Sequence, residues 1–177
     1  MNRPPRLAIV TGDVQSGKTT LVENLVRCLR KQNRIVAGII ARGLWQDGRR
    51  QGFDLVDLRT NGITPLARRN PRPAKDAVTG FSFFAAGLRA GAQALAVQRC
   101  ATADWIVIDE IGKLELAGDG WAPLLPPLLD LAEPGQIWIV RQSLVDRVCQ
   151  TWGLSPSLIV SAADPAALTS LQAFCAI

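Results

Sequence analysis

The stretch Gly12-Asp13-Val14-Gln15-Ser16-Gly17-Lys18-Thr19 decides how the rest of the chain is read. It fits Gly-x-x-x-x-Gly-Lys-[Ser/Thr], and its setting is the one that pattern needs. The short apolar run Arg6–Thr11 precedes it, and Thr19–Lys31 follows with Leu21, Val22, Leu25, Val26 and Leu29 at helical spacing. A strand, a tight loop and a helix in that order make an anion cradle, because successive backbone N–H groups turn inward and the helix adds its positive end. Gly12 and Gly17 supply the unusual dihedrals or the close approach. Lys18 reaches the β- and γ-phosphates of a nucleotide as a mobile charge, and the Thr19 hydroxyl is a ligand for Mg²⁺. Val14, Gln15, Ser16 and Thr20 complete the cradle, chiefly through their amides. Asp13 belongs to the binding loop but sets an anion beside an anion, so its side chain is expected to point outward or to pair with a neighbour; we give it no catalytic role.

Working outward, Arg34–Arg42 and Gln51–Leu58 read as strands, and Asp47-Gly48 between them is a tight-turn dipeptide. The two strands therefore form an antiparallel hairpin with Trp45 near its tip. Ala67–Asp76 carries three arginines, a lysine and two prolines and reads as a mobile basic loop. Ser82–Cys100 reads as a helix weakened by Gly87 and Gly91. Trp105-Ile106-Val107-Ile108, flanked by acids, is apolar on both faces, as a central parallel strand requires. Trp121–Leu131 is helical but broken by its prolines, Gln136–Val140 is a strand, Leu144–Trp152 a helix stopped by Gly153, and Leu158–Val160 a last strand before a terminal helix that starts at Asp164-Pro165. The alternation predicts an α/β fold: a three-layer sandwich built on a phosphate-loop strand, its sheet mostly parallel, with one inserted β-hairpin and ligands at the carboxyl ends of the strands.

Composition bounds the answer. With 177 residues, 48% of them hydrophobic, the chain suits one domain across residues 1–177 that buries roughly 70% of its unfolded surface. There is no histidine, which excludes Ser-His-Asp and Cys-His catalysis and imidazole zinc sites. Cys28, Cys100, Cys149 and Cys175 are far apart and read as reduced, mostly buried thiols. The opening residues do not resemble a secretory signal and no run approaches the roughly 18 apolar residues of a membrane span, so we expect a cytoplasmic protein with no membrane contact. The net charge of +5 permits an anionic partner. Four of the twenty basic residues are lysine and the sixteen arginines are scattered, so the polyphosphate of a small molecule is a more economical partner than nucleic acid.

A triphosphate site also needs an acid for the metal. Asp109, at the end of the Trp105–Ile108 run, is placed as that metal-holding aspartate, and Glu110 beyond it can orient or deprotonate an attacking water. Lys113 either neutralises charge on the transferred phosphoryl or pairs with Glu115 at the surface. Arg141, Arg68, Arg69 and Arg72 are the other candidate cations.

These residues resemble a known family, the small thermophile-type nucleoside-triphosphatases, which include the cancer-related nucleoside-triphosphatase of animals. The resemblance rests on Thr11-Gly12 through Gly17-Lys18-Thr19-Thr20-Leu21, on Gly38 with the hairpin and Arg49-Arg50-Gln51-Gly52-Phe53-Asp54, and above all on Asp109-Glu110-Ile111-Gly112-Lys113-Leu114-Glu115-Leu116. It implies a phosphate-loop domain that hydrolyses ATP, GTP and other nucleoside triphosphates to diphosphate and phosphate, with Mg²⁺ and little base selectivity. It adds weight to Lys113, which lies within the matching string. Gln15 stands where the family more often has glycine, so the loop must either take a dihedral that glutamine accepts or bear strain there. No lysine is followed two residues later by aspartate, so the guanine-reading string [Asn/Thr]-Lys-x-Asp is missing. Two further readings stay open: a small-molecule or nucleotide kinase whose acceptor sits over the hairpin or near Arg68 and Arg69, and a nucleotide-dependent switch that engages a protein partner through Trp45.

Overall fold

A computed structural model of the chain describes residues 6–75 and 78–176. The first strand, β1 (Leu7–Gly12), is buried along its whole length because it lies between two parallel neighbours. After the loop comes α1 (Lys18–Lys31), whose Val22, Leu25, Val26 and Leu29 form one buried stripe at helical spacing. β2 (Val36–Gln46) and β3 (Arg49–Asp57) are the expected hairpin. Asp47 and Gly48 both have positive φ, 49° and 70°, as a two-residue turn matched to strand twist requires.

The next segment departs from expectation. Ala67, Arg68 and Arg69 do not begin a loop; they end a strand, β4 (Ile63–Arg69), which pairs antiparallel with β3. Ser82 likewise lies in a short strand, β5 (Phe81–Phe83), and not in a helix. β2 to β5 thus form an antiparallel meander in which β3, β4 and β5 extend the sheet beyond β2. Sequence alternation missed β4 because its arginines sit at a sheet end where their stems lie on neighbours and their charges reach solvent or acid. The remainder of the presumed basic loop is irregular from residue 70 to 75, and its last member, Asp76, falls outside the described residues. Helix follows only from residue 85, as α2 (Ala85–Ala94) and α3 (Val97–Cys100).

β6 (Trp105–Ile111) and β7 (Gly135–Arg141) are central strands, separated by α4 (Lys113–Leu116) and α5 (Leu125–Leu129), the latter preceded by a 3-10 turn over Ala122–Leu124. Within Trp121–Leu131 the prolines fall in these two short pieces, the 3-10 turn and α5. α6 (Val145–Trp152) ends at Gly153 in a left-handed cap, and β8 (Leu158–Ser161) and α7 (Ala167–Cys175) complete the chain.

The eight strands form one sheet in the order β5-β4-β3-β2-β6-β7-β1-β8. β2, β6, β7, β1 and β8 run parallel, and the meander is antiparallel. Alternate side chains of one strand enter opposite cores. Ala8 and Val10 meet α1 and α7, whereas Leu7 and Ile9 belong with Leu95, Trp121, Leu125 and Val148 on the other face. All four cysteines are free, Cys100 and Cys175 buried and Cys28 and Cys149 only partly so. No helix among the described residues is long and apolar enough to cross a membrane.

Register aligns the strand ends that matter. Gly12 pairs with Arg141, and Asp109 with Ile139 one step away from Val140, so the ends of β1, β7 and β6 reach the same edge. Gly38 holds β2 against β6: its φ is +100°, and a Cβ there would come 2.0 Å from the Val107 carbonyl oxygen. Replacing Gly38 with Ala should cost more than the roughly 1–2 kcal/mol of a left-handed residue alone, because the carbonyl is ladder backbone and cannot yield. Urea unfolding of Gly38→Ala beside wild type measures the loss; an unchanged midpoint would contradict this packing account.

Candidate active site

The loop between β1 and α1 curls because three residues leave ordinary backbone space. Gly12 has φ 147°, and a Cβ there would sit 2.4 Å from Ser16 Oγ. Gly17 has φ 85° and caps α1. Gln15, at φ 67°, occupies the left-handed region that favours glycine, so this position carries backbone strain. Leu21 N–H is the first to find a helical acceptor, the Gly17 carbonyl, which leaves the preceding amides of the first turn for a ligand. Ser16 Oγ is buried without a partner among the described residues, and so is Thr11 Oγ1 at the end of β1. Asp13 and Val14 are exposed, so the Asp13 carboxylate meets solvent as expected.

Lys18 is buried and folds back to donate from Nζ to the carbonyls of Gly12, at 3.0 Å, and Asp13, at 2.5 Å. Burial lowers its pKa, and the nearby Glu110 carboxylate opposes that shift. Thr19 Oγ1 donates to Asp109 Oδ2 at 2.9 Å, joining the first turn of α1 to the end of β6. The amide of Ala41 in β2 donates to the same oxygen at 3.3 Å. Asp109 is only 3% exposed, and burial, reinforced by the Glu110 charge, pushes its carboxyl up to about 7.

In a regular strand, consecutive side chains point to opposite faces. β6 breaks that rule with a bulge: Asp109 faces Ile139 while Ile111 faces Val140, so Glu110 is the extra residue. The irregularity lets Asp109 and Glu110 line one cavity. Glu110 Oε1 accepts a 2.7 Å hydrogen bond from Arg141 Nε, an ion pair across the ends of β6 and β7. Arg141, a candidate cation in the sequence, is therefore committed to the carboxylate beside it.

Lys113 begins α4, is exposed at the cavity and makes no ion pair among the described residues. The alternative partner, Glu115, is buried and uses both oxygens on backbone, accepting from Gly112 N–H at 2.9 Å and Trp121 N–H at 3.3 Å. Its carboxyl is raised by burial. The surface Lys113–Glu115 pair is thus not formed.

Arg68, Arg69 and Arg72 are not brought to the cradle. Arg68 pairs with Asp54 at 3.0 Å and donates to the Phe53 and Ala67 carbonyls. Arg69 borders a separate small hollow beside Pro71 and Phe81, and Arg72 stands in the irregular segment with its amide on Asn70. Trp45, expected at a polar tip, has its ring covered by Arg50 at 4.6 Å and faces the cavity. Sequence reasoning passed over Arg50 as a site residue. The Asp47-Gly48 turn held the clue, because a two-residue loop sets Trp45 opposite Arg50 in the ladder.

The cavity has a volume of about 870 Å³ and runs from the cradle to a wall formed by Phe53, Phe81, Phe83 and Trp121. Its donor set is hard oxygen from one carboxylate and one hydroxyl, which suits a hard divalent cation that takes its remaining ligands from elsewhere. Among the described residues no group of three or more acidic, cysteine or histidine side chains makes a self-sufficient cage.

Comparison with known proteins agrees with this geometry. The family described as NTPase matches residues 7–151. The nucleoside-triphosphatase THEP1 of Hyperthermus butylicus is 32% identical over 145 residues, covering 78% of this chain and 72% of that protein. The cancer-related nucleoside-triphosphatase homolog of Bos taurus is 32% identical over 141 residues, covering 75% and 72%. Among solved structures, the fold resembles that of a human cancer-related nucleoside triphosphatase, with TM-score 0.72, 22% identity, and 97% and 96% of the two chains covered. It also resembles THEP1 from the hyperthermophile Aquifex aeolicus, with TM-score 0.70, 18% identity and 93% and 96% covered.

The Asp109 environment has a pH signature. A carboxyl whose folded pKa lies above its unfolded value stabilises the fold at low pH and loses that contribution as pH rises through the folded value. For the metal-free protein this contribution fades from about pH 4 towards 7. Asp109→Asn keeps an oxygen for Thr19 and Ala41 and should gain stability over wild type as pH increases across that range. Urea midpoints from pH 4.5 to 8 for both proteins test it; parallel curves would refute it.

Proposed function

The chain belongs to the NTPase family, and on that premise we propose that it hydrolyses nucleoside triphosphates, ATP and GTP among them, to the diphosphate and phosphate with Mg²⁺. The observation that carries this reading is the 2.9 Å contact of Thr19 with Asp109, which ties the phosphate loop to an acid 90 residues further along the chain. A hydroxyl and a buried carboxylate so joined also form a pair of hard oxygen ligands that suits a divalent cation.

In this reading the loop amides from Val14 to Thr20, apart from that of Ser16, which donates to the Asp13 carbonyl, receive phosphate oxygens together with the orphaned Ser16 hydroxyl. Lys18 exchanges its two carbonyl acceptors for β- and γ-phosphate oxygens. Thr19 and Asp109 would hold Mg²⁺, which when bound neutralises charge shared by those phosphates. Arg141 fixes Glu110 through Oε1, so that Oε2 can orient a water. The water oxygen bonds to the γ-phosphorus as the bond to the β-γ bridging oxygen breaks; Glu110 takes the water proton, and the diphosphate carries away the electron pair. Lys113 adds positive charge at the cavity mouth. With no guanine-reading string in the chain, discrimination between ATP and GTP is weak.

One observation favours a second reading, phosphoryl transfer to a small acceptor. The cavity extends past Glu110 to an aromatic wall, and a water nucleophile needs only about 30 Å³. The two readings part on one measurement, since a kinase releases little phosphate until an acceptor is supplied.

Phosphate release should proceed without acceptor over ATP, GTP, CTP and UTP at comparable rates and stop with EDTA. Lys18→Ala should abolish nucleotide binding, whereas Glu110→Gln should bind normally and turn over ~10²-fold more slowly. Undiminished turnover by Glu110→Gln would remove the proposed base.

A further inference from the structure

Phosphoryl transfer concentrates negative charge on the γ-phosphoryl oxygens, and a guanidinium aimed at them is a large contributor where one is supplied. The arginines near the cradle can be sorted by their commitments. Arg42 spends two nitrogens on Glu23 Oε1, Arg68 is tied to Asp54 and two carbonyls, and Arg141 holds Glu110. Arg50 differs from all three. Its Nε is buried and has no hydrogen-bond partner among the described residues, although the side chain lines the same cavity as Lys18, Asp109 and Glu110.

A buried unpaired donor is costly, more so when charged, so its persistence calls for a reason. The guanidinium is not loose. It lies over the rings of Trp45 at 4.6 Å and Phe53 at 4.9 Å, held between two aromatic faces by cation–π attraction. Gly43 makes the fold-over possible, since a Cβ there would stand 3.0 Å from Trp45 Nε1 and 3.3 Å from Arg50 Nε. Arg50 also feels the charges of Glu110, Arg141 and Asp109, and in turn contributes to the lowered pKa of Lys18. It thus stands within electrostatic range of both the phosphate lysine and the acid that directs the nucleophile.

We propose that Arg50 is a catalytic residue supplied in cis by the inserted hairpin, donating from its guanidinium to the γ-phosphoryl oxygens as they separate from the bridging oxygen. This rests on the hydrolase reading of the same site and adds to it a guanidinium beside the two lysines. Arg50 transfers no proton; it remains charged throughout, and the aromatic stack removes the reorganisation that a mobile surface arginine would require. The hairpin then belongs to the active site and is more than an ornament on the sheet.

The test uses the full chain with Arg50→Ala, Arg50→Lys and, as an arginine outside the cavity, Arg68→Ala. Expected for Arg50→Ala is a kcat lower by 10²–10³-fold with KM changed by no more than a few fold. Binding of ADP with Mg²⁺ stays as in wild type. The stable complex with ADP and aluminium fluoride, which imitates the planar phosphoryl, forms with wild type and Arg68→Ala and is lost in Arg50→Ala. Millimolar guanidinium chloride partly restores the Arg50→Ala rate and has no such effect on Arg68→Ala. Arg50→Lys keeps the charge and much of the stack, guards against an unfolded alanine variant, and still loses most of kcat because an ammonium lacks the planar fork.

Near-wild-type turnover of Arg50→Ala, or retention of its aluminium fluoride complex, overturns the assignment while leaving the hydrolase reading intact. A wild-type protein that neither hydrolyses nucleotide nor forms that complex refutes the underlying reading, and this one with it.

Discussion

Asp109 is almost wholly removed from water, and among the described residues its carboxylate makes no ion pair. A buried acid in that state is tolerated only through partial compensation, and here one oxygen takes both the Thr19 hydroxyl and the Ala41 amide. Those two donors come from different elements, α1 and β2, so the acid cannot be accommodated unless the whole carboxyl edge of the sheet is assembled. The cavity, the bulge in β6 and the position of Lys18 all follow from that assembly. The same desolvation that raises the Asp109 pKa makes the position attractive to a doubly charged cation.

Around this acid the charges are arranged in pairs of unequal commitment. Arg141 and Glu110 satisfy each other, Lys18 rests on carbonyl oxygens that a phosphate can replace, and Arg50 rests on aromatic faces that leave its N–H groups unspent. Neutral contacts are easier to give up than ion pairs. The cations around Asp109 therefore differ less in number than in which of them remain uncommitted.

Much of this is legible in the sequence, and the boundary between legible and hidden is physical. The phosphate loop, α1, the hairpin turn and the Asp109-Glu110 strand exit are local: dihedral preferences and apolar periodicity within a dozen residues specify each of them. β4 escaped because its arginines and proline disguise an edge-side strand whose stability comes from pairing with β3, which no local pattern reports. The placement of Arg50, the pairing of Arg141 with Glu110, and the use of Glu115 to hold Gly112 and Trp121 are likewise long-range facts. Gln15 lies between these cases: the tight loop predicts an unusual dihedral somewhere, but only the fold reveals that glutamine itself adopts it.

The order of the sheet carries one more consequence. It terminates in its two shortest strands, Phe81–Phe83 with three residues and Leu158–Ser161 with four, while the long strands lie inside. Unpaired amides at a sheet margin are templates for a neighbouring chain, and brevity at the margin denies such a template length. The sheet that holds the loop between β1 and α1 in its interior thereby offers little template for strand pairing at either border.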